Sequence, residues 1–323
     1  MKKDKKNPWF GGEYLYKHSA ISKISSKAWW RKAKLEDVVM MVQGGPYLLD
    51  FAHEDLSMLD FALMNAKDEK VLLFLKMLAE LRTQIKKYIR QPIPQNADMP
   101  IVERSVPVPF FGNIEGAEVA TISINPSNLE FEDRHGNILS KKRFADREFW
   151  REKDTDTLTE NHTEGVYESL YKYFRHNPYK RWFDVLEEYA GNLFGCSYYN
   201  GTMVHLDIYP WATKQKWSKL SVSAKKEALQ EYDLLKRILL DKNFKYIYIN
   251  GKQTKEQVEK YFDITIPEYP ITNTKNKCNH TRCMYKYQLG DTMLIGSSCY
   301  LQNSYESKEY LDELHKILSE SMP

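Results

Sequence analysis

Polar residues that could do chemistry follow four apolar runs of the chain. They stand at 125–127 (Asn-Pro-Ser), at Asp207, at 250–252 (Asn-Gly-Lys) and at 296–302 (Gly-Ser-Ser-Cys-Tyr-Leu-Gln). An amide oxygen can accept a hydrogen bond from water, and a carboxylate can accept a hydrogen bond or a proton. Because ligands of parallel sheets bind at the carboxyl ends of the strands, these four segments are predicted to form one site.

The elements that must position these residues are short strands that alternate with helices. The apolar runs at 119–124, 203–208, 246–249 and 292–295 are typical of buried parallel strands. Helical periodicity lies between and after them, at 166–174, 181–193, 224–240, 254–262 and 308–318. This alternation predicts an α/β fold with a three-layer α/β/α arrangement around a short central parallel sheet.

The N-terminal third of the chain has a different pattern. Residues 36–91 are predicted to be helical, with an apolar face that runs from Val71 to Ile89. Pro92 and Pro94 end the last helix, and five prolines between 92 and 109 indicate a connecting segment. We therefore predict two domains, a basic arm with a helical extension at 1–100 and an α/β domain at 101–323.

Positive charge is concentrated at the N-terminus. Residues 1–34 hold ten Lys and Arg against two acidic residues, a net charge of +8, whereas the whole chain carries +3. Trp9, Trp29 and Trp30 are interleaved with these cations. Cations that meet phosphates and rings that stack on nucleobases are the features of an arm that binds DNA. A solvated, frayed terminus is the alternative interpretation.

Composition excludes several classes of protein. A chain of 323 residues with 42% hydrophobic and 28% charged residues is not globally disordered. No apolar run approaches the roughly 20 residues of a membrane-spanning helix, and the basic start is not followed by the apolar core of a signal peptide. We expect a soluble cytoplasmic protein with no membrane partner and no obligate protein partner.

One cysteine-rich segment has the residue types of a metal site. Cys278, His280 and Cys283 place three zinc-type ligands within six residues. A structural zinc site needs a fourth ligand, which Cys299 or Cys196 would supply only through folding. A polar loop with ordinary reduced thiols is the favoured interpretation, so no metal and no cofactor are predicted.

The segment from Pro107 to Ser127 resembles the opening of the uracil-DNA glycosylase superfamily, in which a strand runs into an Asp-Pro or Asn-Pro loop. Here that place is taken by 122–126 (Ile-Ser-Ile-Asn-Pro). The chain continues in the family's order with the strand ends at 204–207, 248–251 and 294–302. The resemblance covers roughly residues 107–320. It implies a uracil-DNA glycosylase-like fold and an enzyme that flips a nucleobase out of DNA.

The resemblance also implies roles for the residues at the strand ends. Asn125 would position the attacking water, and Asp207 would read the nucleobase or act as the general base. A structural turn and a carboxylate cap are the alternatives for these two residues. The remaining implied roles are stacking on the nucleobase for Phe131, Phe144 or Phe149, DNA contacts for Ser297, Ser298 and Lys252, and a wedge in the vacated base stack for Tyr300, Leu301 and Gln302.

Three departures from the family pattern indicate the substrate. Ser127 stands where one subgroup of the family has a tyrosine that excludes nucleobases substituted at C5. Ser297 or Ser298 replaces the histidine that stabilises a departing uracil anion. Asp207 replaces the asparagine that reads uracil, and a carboxylate suits the amino group of cytosine. The departures imply removal of glucosylated 5-hydroxymethylcytosine from phage DNA, as in a bacterial anti-phage member of the superfamily. The product would be an abasic site, made by a monofunctional enzyme in the bacterial cytoplasm.

Three other functions stay open at this point. One is a uracil or mismatch DNA repair glycosylase, and another is a non-catalytic nucleic-acid-binding protein on the same scaffold. The third is a small-molecule hydrolase with Cys299 or Ser298 as its nucleophile.

Overall fold

A computed structural model describes residues 27–44, 52–53, 56–94, 98–102, 104–146, 158–230, 234–275, 281–302 and 308–320. The sequence predictions for Trp9, Phe149, Cys278 and His280 lie outside these residues. Within the described ranges the chain is a mixed α/β protein built on a seven-stranded sheet.

The strands form one short pair and one large sheet. β1 (Ala52–His53) and β2 (Leu56–Ser57) are an antiparallel pair. The large sheet contains β3 (Phe110–Phe111), β4 (Val119–Ser123), β5 (Met203–Asp207), β6 (Tyr246–Asn250), β7 (Glu268–Lys275), β8 (Thr281–Leu289) and β9 (Thr292–Ser297). Their spatial order is β3–β5–β4–β6–β9–β8–β7.

The inner strands β5, β4, β6 and β9 are parallel, and they are the four strands that the apolar runs predict. β4 and β5 are buried along their whole length, which explains why their sequences are almost continuously apolar. The register pairs Ser123 with Asp207 and Asn250 with Ser297. The carboxyl ends of the strands therefore meet at one end of the sheet, where the predicted site residues follow.

Antiparallel strands extend the sheet beyond the prediction, so it is mixed rather than purely parallel. β3 pairs with β5, and β8 pairs with both β9 and β7. β3 lies at the end of the Pro-rich segment, where buried Phe110 and Phe111 pair with Leu206 and His205. Cys283, predicted in a polar loop, lies instead in β8 with its side chain buried.

Each helical stretch predicted from periodicity contains a helix. In chain order the helices are α1 (Lys27–Trp30), α2 (Leu35–Gly44), α3 (Met58–Asn65), α4 (Glu69–Ile89), α5 (Glu160–Tyr171), α6 (Tyr173–His176), α7 (Lys180–Leu186), α8 (Asn192–Phe194), α9 (Val222–Gln230), α10 (Leu234–Lys242), α11 (Lys252–Phe262) and α12 (Lys308–Glu320). A π-helical turn, Glu187–Gly191, joins α7 to α8. None of the helices in the described ranges combines the length and the apolar character needed to cross a bilayer.

The long helix α4 belongs to two hydrophobic cores. Asp68 caps its first turn by accepting hydrogen bonds from the amides of Lys70 and Val71, at 2.9 and 3.0 Å. The N-terminal half of α4 packs with Trp30 in a core made by the N-terminal helices, and its C-terminal half packs in the core of the large sheet. The two cores meet within one helix, and the domain division at 100/101 stays a prediction.

A buried polar cluster joins α4 to the elements around the large sheet. We call it the Glu115 cluster, and it consists of Arg82, Glu115, Tyr167 and Tyr171. Arg82 donates to Oε1 of Glu115 through Nε and Nη2, at 3.2 and 2.7 Å. Tyr167 donates to Oε1 and Tyr171 to Oε2, each at 3.2 Å. Both oxygens of Glu115 therefore accept hydrogen bonds, and a cation compensates the buried charge.

Candidate functional site

A small pocket lies at the carboxyl ends of β4 and β5. Its volume is about 40 Å³, and because about 10–15 Å³ is enough to hold a water molecule, it can contain water but not a pyrimidine. It brings together three residues that the sequence analysis singles out, Asn125, Ser127 and Asp207. The other side chains that line it include Glu130, His205 and the rings of Phe111, Trp182 and Phe183.

The amide of Asn125 is held in one orientation. Its Nδ2 donates to the main-chain oxygens of Pro126 and Trp211, at 3.1 and 3.4 Å, and to Oγ1 of Thr213 at 3.2 Å. Thr213 donates its own proton to the carbonyl of Gln215, so towards Asn125 it can only accept. No hydrogen bond from the described residues reaches Oδ1 of Asn125, which is therefore available to a water or a ligand.

Oδ1 of Asp207 is buried and has no donor within hydrogen-bond length among the residues that the structure describes. It lies 3.6 Å from Nε2 of His205, which is an ion-pair contact beyond hydrogen-bond length. No other side chain or amide in the described ranges donates to this carboxylate. Burial raises the pKa of Asp207, and the neighbouring His205 opposes that rise. A ligand that donates a hydrogen bond here would relieve the cost of an unsatisfied buried acceptor.

A chain of buried polar groups fixes the ring of His205. Nδ1 of His205 lies 2.7 Å from Oγ1 of Thr121, and the same hydroxyl contacts the hydroxyl of Tyr198. Donation from Tyr198 to Thr121 and from Thr121 to Nδ1 satisfies each group, which assigns the ring proton to Nε2 on the side of Asp207. His205 therefore orients the carboxylate of Asp207, and both of its nitrogens are engaged within the protein.

Glu130 is a second buried acid in the pocket. Its Oε2 accepts a hydrogen bond from the hydroxyl of Tyr173 at 2.7 Å and lies 3.6 Å from Nε of Arg143. None of the described residues donates to Oε1. Burial raises the pKa of Glu130 to about 8 against the opposing influence of Tyr173 and Arg143, and the charge of Asp207 adds to the rise. Glu130 is therefore mostly neutral at pH 7.

The aromatic walls of the pocket differ from the predicted stacking residues. Phe131 and Phe144 are buried and pack edge to face with ring centroids 5.0 Å apart, and neither lines the pocket. The rings that do line it are Phe111, Phe183 and the half-buried Trp182. Trp182 is the most exposed of these three rings, so it is the wall that a ligand would displace or stack on.

Ser127 gives the pocket a small side chain at the start of a 3₁₀ turn, Asn128–Glu130. Its hydroxyl accepts a hydrogen bond from the amide of Leu129 at 3.1 Å and so caps that turn. The cap fixes the backbone that carries Glu130 into the pocket. Both the small size of Ser127 and its hydrogen bond therefore matter to the shape of the site.

The loop after β9 is tied to the sheet by Asn250. Nδ2 of this buried residue donates to Oγ of Ser123 and to Oε1 of Gln302, at 3.1 and 3.0 Å. Its Oδ1 accepts from the amide of Leu301 at 3.1 Å. The ring of Tyr300 lies 6.5 Å from that of Trp182 between centroids, so the predicted wedge loop adjoins the pocket wall.

The predicted phosphate contacts are differently placed. The hydroxyl of Ser297 is buried and donates to the carbonyl of Cys299 at 2.8 Å, and that of Ser298 accepts from the amide of Cys283 at 2.9 Å. Ser297 thus hydrogen-bonds within the loop, and Ser298 ties the loop to β8. Lys252 is exposed at the first position of α11, where it can meet a phosphate.

Gly251 allows Tyr300, in the loop after β9, to pack closely against the backbone. Its φ is +97°, and a Cβ at this position would lie 2.8 Å from the ring of Tyr300. A side chain here would be strained and would push Tyr300 from the pocket wall.

Only residues 27–34 of the predicted basic arm are described. Trp30 is fully buried in the N-terminal core, and Trp29 packs edge-on against it with centroids 4.8 Å apart. Trp30 is therefore not available to stack on a nucleobase, because its ring is part of a core. Arg31, Lys32 and Lys34 are exposed.

In the part of the chain that the structure describes, no group of three His, Cys, Asp or Glu side chains is placed to hold a metal ion. Cys196, Cys283 and Cys299 are not in disulfide bonds. Cys299 is half-buried and lies in the loop after β9, outside the lining of the pocket.

Sequence reasoning missed Glu130 and Trp182, and it placed Asn250 at a strand end without giving it a role. Ser127 and Glu130 have the spacing of a capping box, a pattern that favours a purely structural role for the glutamate. In the structure Ser127 caps the turn, but Glu130 points inward to Tyr173. The partner that turns it inward lies 43 residues away in the chain, so local spacing carries no signal for it.

Among known proteins, no family model matches the chain and no curated protein matches it. Its function is therefore inferred from the pocket and from the order of the strand-end motifs.

Proposed function

We propose that the protein is a DNA glycosylase with a three-layer, uracil-DNA glycosylase-like fold. Its substrate is glucosylated 5-hydroxymethylcytosine in phage DNA, and its product is an abasic site. One observation carries the proposal: Asn125 just after β4 and Asp207 at the end of the adjacent parallel strand β5 line one pocket, and each has an acceptor oxygen with no donor within hydrogen-bond length among the described residues. The order of the strand-end motifs along the chain supports the family resemblance.

Asn125 supplies the water. Hydrolysis of an N-glycosidic bond passes through an oxocarbenium-like sugar, which a water attacks at C1′. The free Oδ1 of Asn125 accepts a hydrogen bond from that water, and the cavity of about 40 Å³ already has room for it. Because three acceptors hold the amide nitrogen, the oxygen is positioned before the substrate arrives.

Asp207 recognises the nucleobase. A carboxylate only accepts hydrogen bonds, so it favours the amino group of cytosine over the carbonyl at the same position in uracil. Oδ1 of this carboxylate has no donor within hydrogen-bond length among the described residues, and a cytosine amino group would provide one. A site that hydrogen-bonds its substrate in this way can discriminate by about 10⁴.

The nucleobase enters past Trp182. A pyrimidine is several times larger than the cavity, so the half-buried Trp182 must move aside when the nucleobase is flipped in. Ser127 is small where a tyrosine would fill the space of a C5 substituent. Tyr300, next to Trp182, is placed to enter the gap that the flipped nucleotide leaves in the base stack.

The test compares four DNAs that contain glucosylated 5-hydroxymethylcytosine, unglucosylated 5-hydroxymethylcytosine, cytosine or uracil. Free nucleobase is measured by mass spectrometry and abasic sites by strand cleavage. We expect release from the glucosylated DNA and little or none from uracil DNA. Efficient release of uracil with the glucosylated DNA intact would contradict the assigned substrate and favour a repair enzyme. Binding of all four DNAs without release would favour a non-catalytic protein.

Two pairs of variants test the recognition. Asp207→Asn should lose the preference for the amino-bearing nucleobase because an amide can donate as well as accept. Asp291→Asn, an exposed residue between β8 and β9, is its control. Ser127→Tyr should block the bulky nucleobase, whereas Ser127→Ala removes only the cap of the 3₁₀ turn. Equal activity of the Tyr and Ala variants on glucosylated DNA would exclude Ser127 from the substrate path.

A further inference from the structure

A cytosine that leaves a sugar needs a proton. When the bond between C1′ and N1 breaks, the electron pair stays on the nucleobase, and the cytosine anion is a poorer leaving group than the uracil anion. The histidine that stabilises the departing nucleobase in the resembling family is replaced here by Ser297 or Ser298. A serine hydroxyl is too weak an acid to protonate a leaving nucleobase, and that of Ser297 already donates to the carbonyl of Cys299. A different acid must therefore act on the nucleobase.

The residues that line the pocket offer two candidates for that acid. His205 is engaged at both nitrogens, with Thr121 at Nδ1 and Asp207 at Nε2. Glu130 has one oxygen, Oε1, that no described residue contacts. We propose that Glu130 protonates the departing nucleobase from Oε1, a role that rests on the proposed glycosylase function.

The neighbours of Glu130 determine which oxygen carries the proton. Tyr173 accepts a hydrogen bond from the amide of Tyr179 at 2.7 Å and directs its own proton to Oε2 of Glu130. Arg143 also faces Oε2. Oε2 is therefore the acceptor oxygen, and the proton of the neutral carboxyl group is on Oε1, the oxygen that is left for a ligand.

The two acids of the pocket have opposite tasks. Glu130 is buried and its pKa is raised to about 8, with the charge of Asp207 contributing to the rise. Burial raises the pKa of Asp207 as well, but His205 beside it opposes that rise and favours the ionised form. One carboxyl group thus stays neutral and donates while the other is charged and accepts, an arrangement that environments of this kind create in other enzymes.

The reaction balances with these groups. The bond between C1′ and N1 breaks, its electron pair passes to the nucleobase, and the proton of Oε1 is transferred to O2 or N3 of the pyrimidine. The water held by Asn125 adds to C1′ and loses one proton, which restores the neutral form of Glu130. The net change is the addition of one water molecule, which gives free nucleobase and an abasic sugar.

The first experiment measures turnover of Glu130→Gln beside Glu132→Gln, a nearby glutamate outside the pocket. Loss of a general acid costs about 10² to 10⁴, so we expect at least a 10²-fold fall for the first variant and none for the second. The alkaline limb of the pH profile, near pH 8 in the wild type, should disappear in Glu130→Gln. The deficit should shrink on DNA with 5-fluorocytosine, whose electron-poor ring leaves with less need of a proton. A purely structural role would give the same deficit on both substrates and would overturn the proposal.

The second experiment does not depend on activity. The carboxyl group of Glu130 is followed by ¹³C NMR in the full chain, with Glu130→Gln to identify its signal. A neutral carboxyl at pH 7 that ionises near pH 8 is expected, and a carboxylate at pH 7 overturns the role of Glu130 whatever the activity. If the wild type releases no nucleobase from any DNA, the proposed function fails and the role of Glu130 as acid fails with it. If the wild type releases nucleobase and the Glu130→Gln variant is equally active, only the role of Glu130 as the acid is refuted.

Discussion

The Glu115 cluster and the strand-end pocket both bury carboxyl groups, but they satisfy them differently. In the Glu115 cluster both oxygens of Glu115 accept hydrogen bonds, and Arg82 supplies the opposite charge. In the pocket Oδ1 of Asp207 has no described donor within hydrogen-bond length, and no described residue donates to Oε1 of Glu130. The first region has its hydrogen bonds complete within the protein, whereas the second leaves acceptor oxygens for a ligand.

The difference separates two reasons for burying an acid. A buried carboxylate with a full set of donors holds elements together, because removing any partner leaves an uncompensated charge. A buried carboxyl group with a free oxygen lowers the stability of the fold, and it is expected where a ligand completes its hydrogen bonds. Variants in the two regions should therefore affect different measurements.

Of the predicted effects, that of Arg82→Met should be the largest, and it should be a loss of folding stability. It leaves the buried carboxylate of Glu115 without its cationic partner, which costs about 3–5 kcal/mol. Urea unfolding measures the loss. Arg90→Met is the control, because its pair with Glu160 is exposed and such pairs contribute at most about 1 kcal/mol. Equal losses in the two variants would show that the Glu115 cluster does not hold α4 in place.

The free energy of unfolding should depend on pH through Glu130. Its pKa is raised from 4.5 to about 8 in the folded protein, so its contribution is complete below pH 4.5 and is lost as the pH rises through 8. The slope reaches about 1.4 kcal/mol per pH unit, or about 3 kcal/mol between pH 5.5 and 7.5. Glu130→Gln should flatten this slope in urea unfolding, and Glu132→Gln should retain it. Parallel curves for wild type and Glu130→Gln would contradict the burial of a neutral acid.

Asn125→Ala should lower turnover by about 10²-fold, equivalent to about 2.7 kcal/mol of transition-state stabilisation. DNA affinity should stay near that of the wild type, because the hydrogen bond that Oδ1 makes is to the attacking water. The free energy of unfolding should fall slightly, because the bonds from Nδ2 to Pro126, Trp211 and Thr213 are also lost. Single-turnover kinetics on glucosylated DNA measure the effect. Asn137→Ala, in an exposed loop, should be unaffected. An active Asn125→Ala variant would place the attacking water elsewhere.

Removal of residues 1–26 should have the smallest effect. It deletes six lysines and two acidic residues, a net charge of +4, and keeps Trp30 in its core. The logarithmic salt slope of non-specific DNA binding should fall by about 0.9 for each phosphate that the shortened chain no longer neutralises. Turnover on saturating substrate should be unchanged. An unchanged salt slope would show that this segment does not bind DNA.

Strand positions could be predicted from the sequence, but side-chain partners could not. The runs at 119–124 and 203–208 are apolar because both faces of β4 and β5 are buried, and a continuous apolar run can be recognised from the sequence alone. Asn125 and Asp207 followed from the rule that sites form at strand ends. Trp30, in contrast, had the same local context as an exposed arm residue, and only packing with distant helices buries it.

The aromatic residues show the same limit. Phe131 and Phe144 are near Asn125 in the chain, yet they pack in the core. Trp182 reaches the pocket from α7, more than fifty residues further along the chain. Proximity in sequence is a poor guide to which ring faces a cavity when the wall is built by residues from distant parts of the chain.

The edge strands of the large sheet affect whether copies of the chain can pair edge to edge. The last strand on one side, β3, has two residues and is preceded by Pro109, which has no amide proton to offer a further strand. On the other side β7 contains Pro270, and its register with β8 is broken between Pro270 and Lys275. Short, proline-bearing or irregular edges are the devices by which natural sheets avoid edge-to-edge growth. Replacing Pro270 by valine would restore a hydrogen-bond donor to that edge, so concentrated solutions of the variant should self-associate more readily than the natural chain.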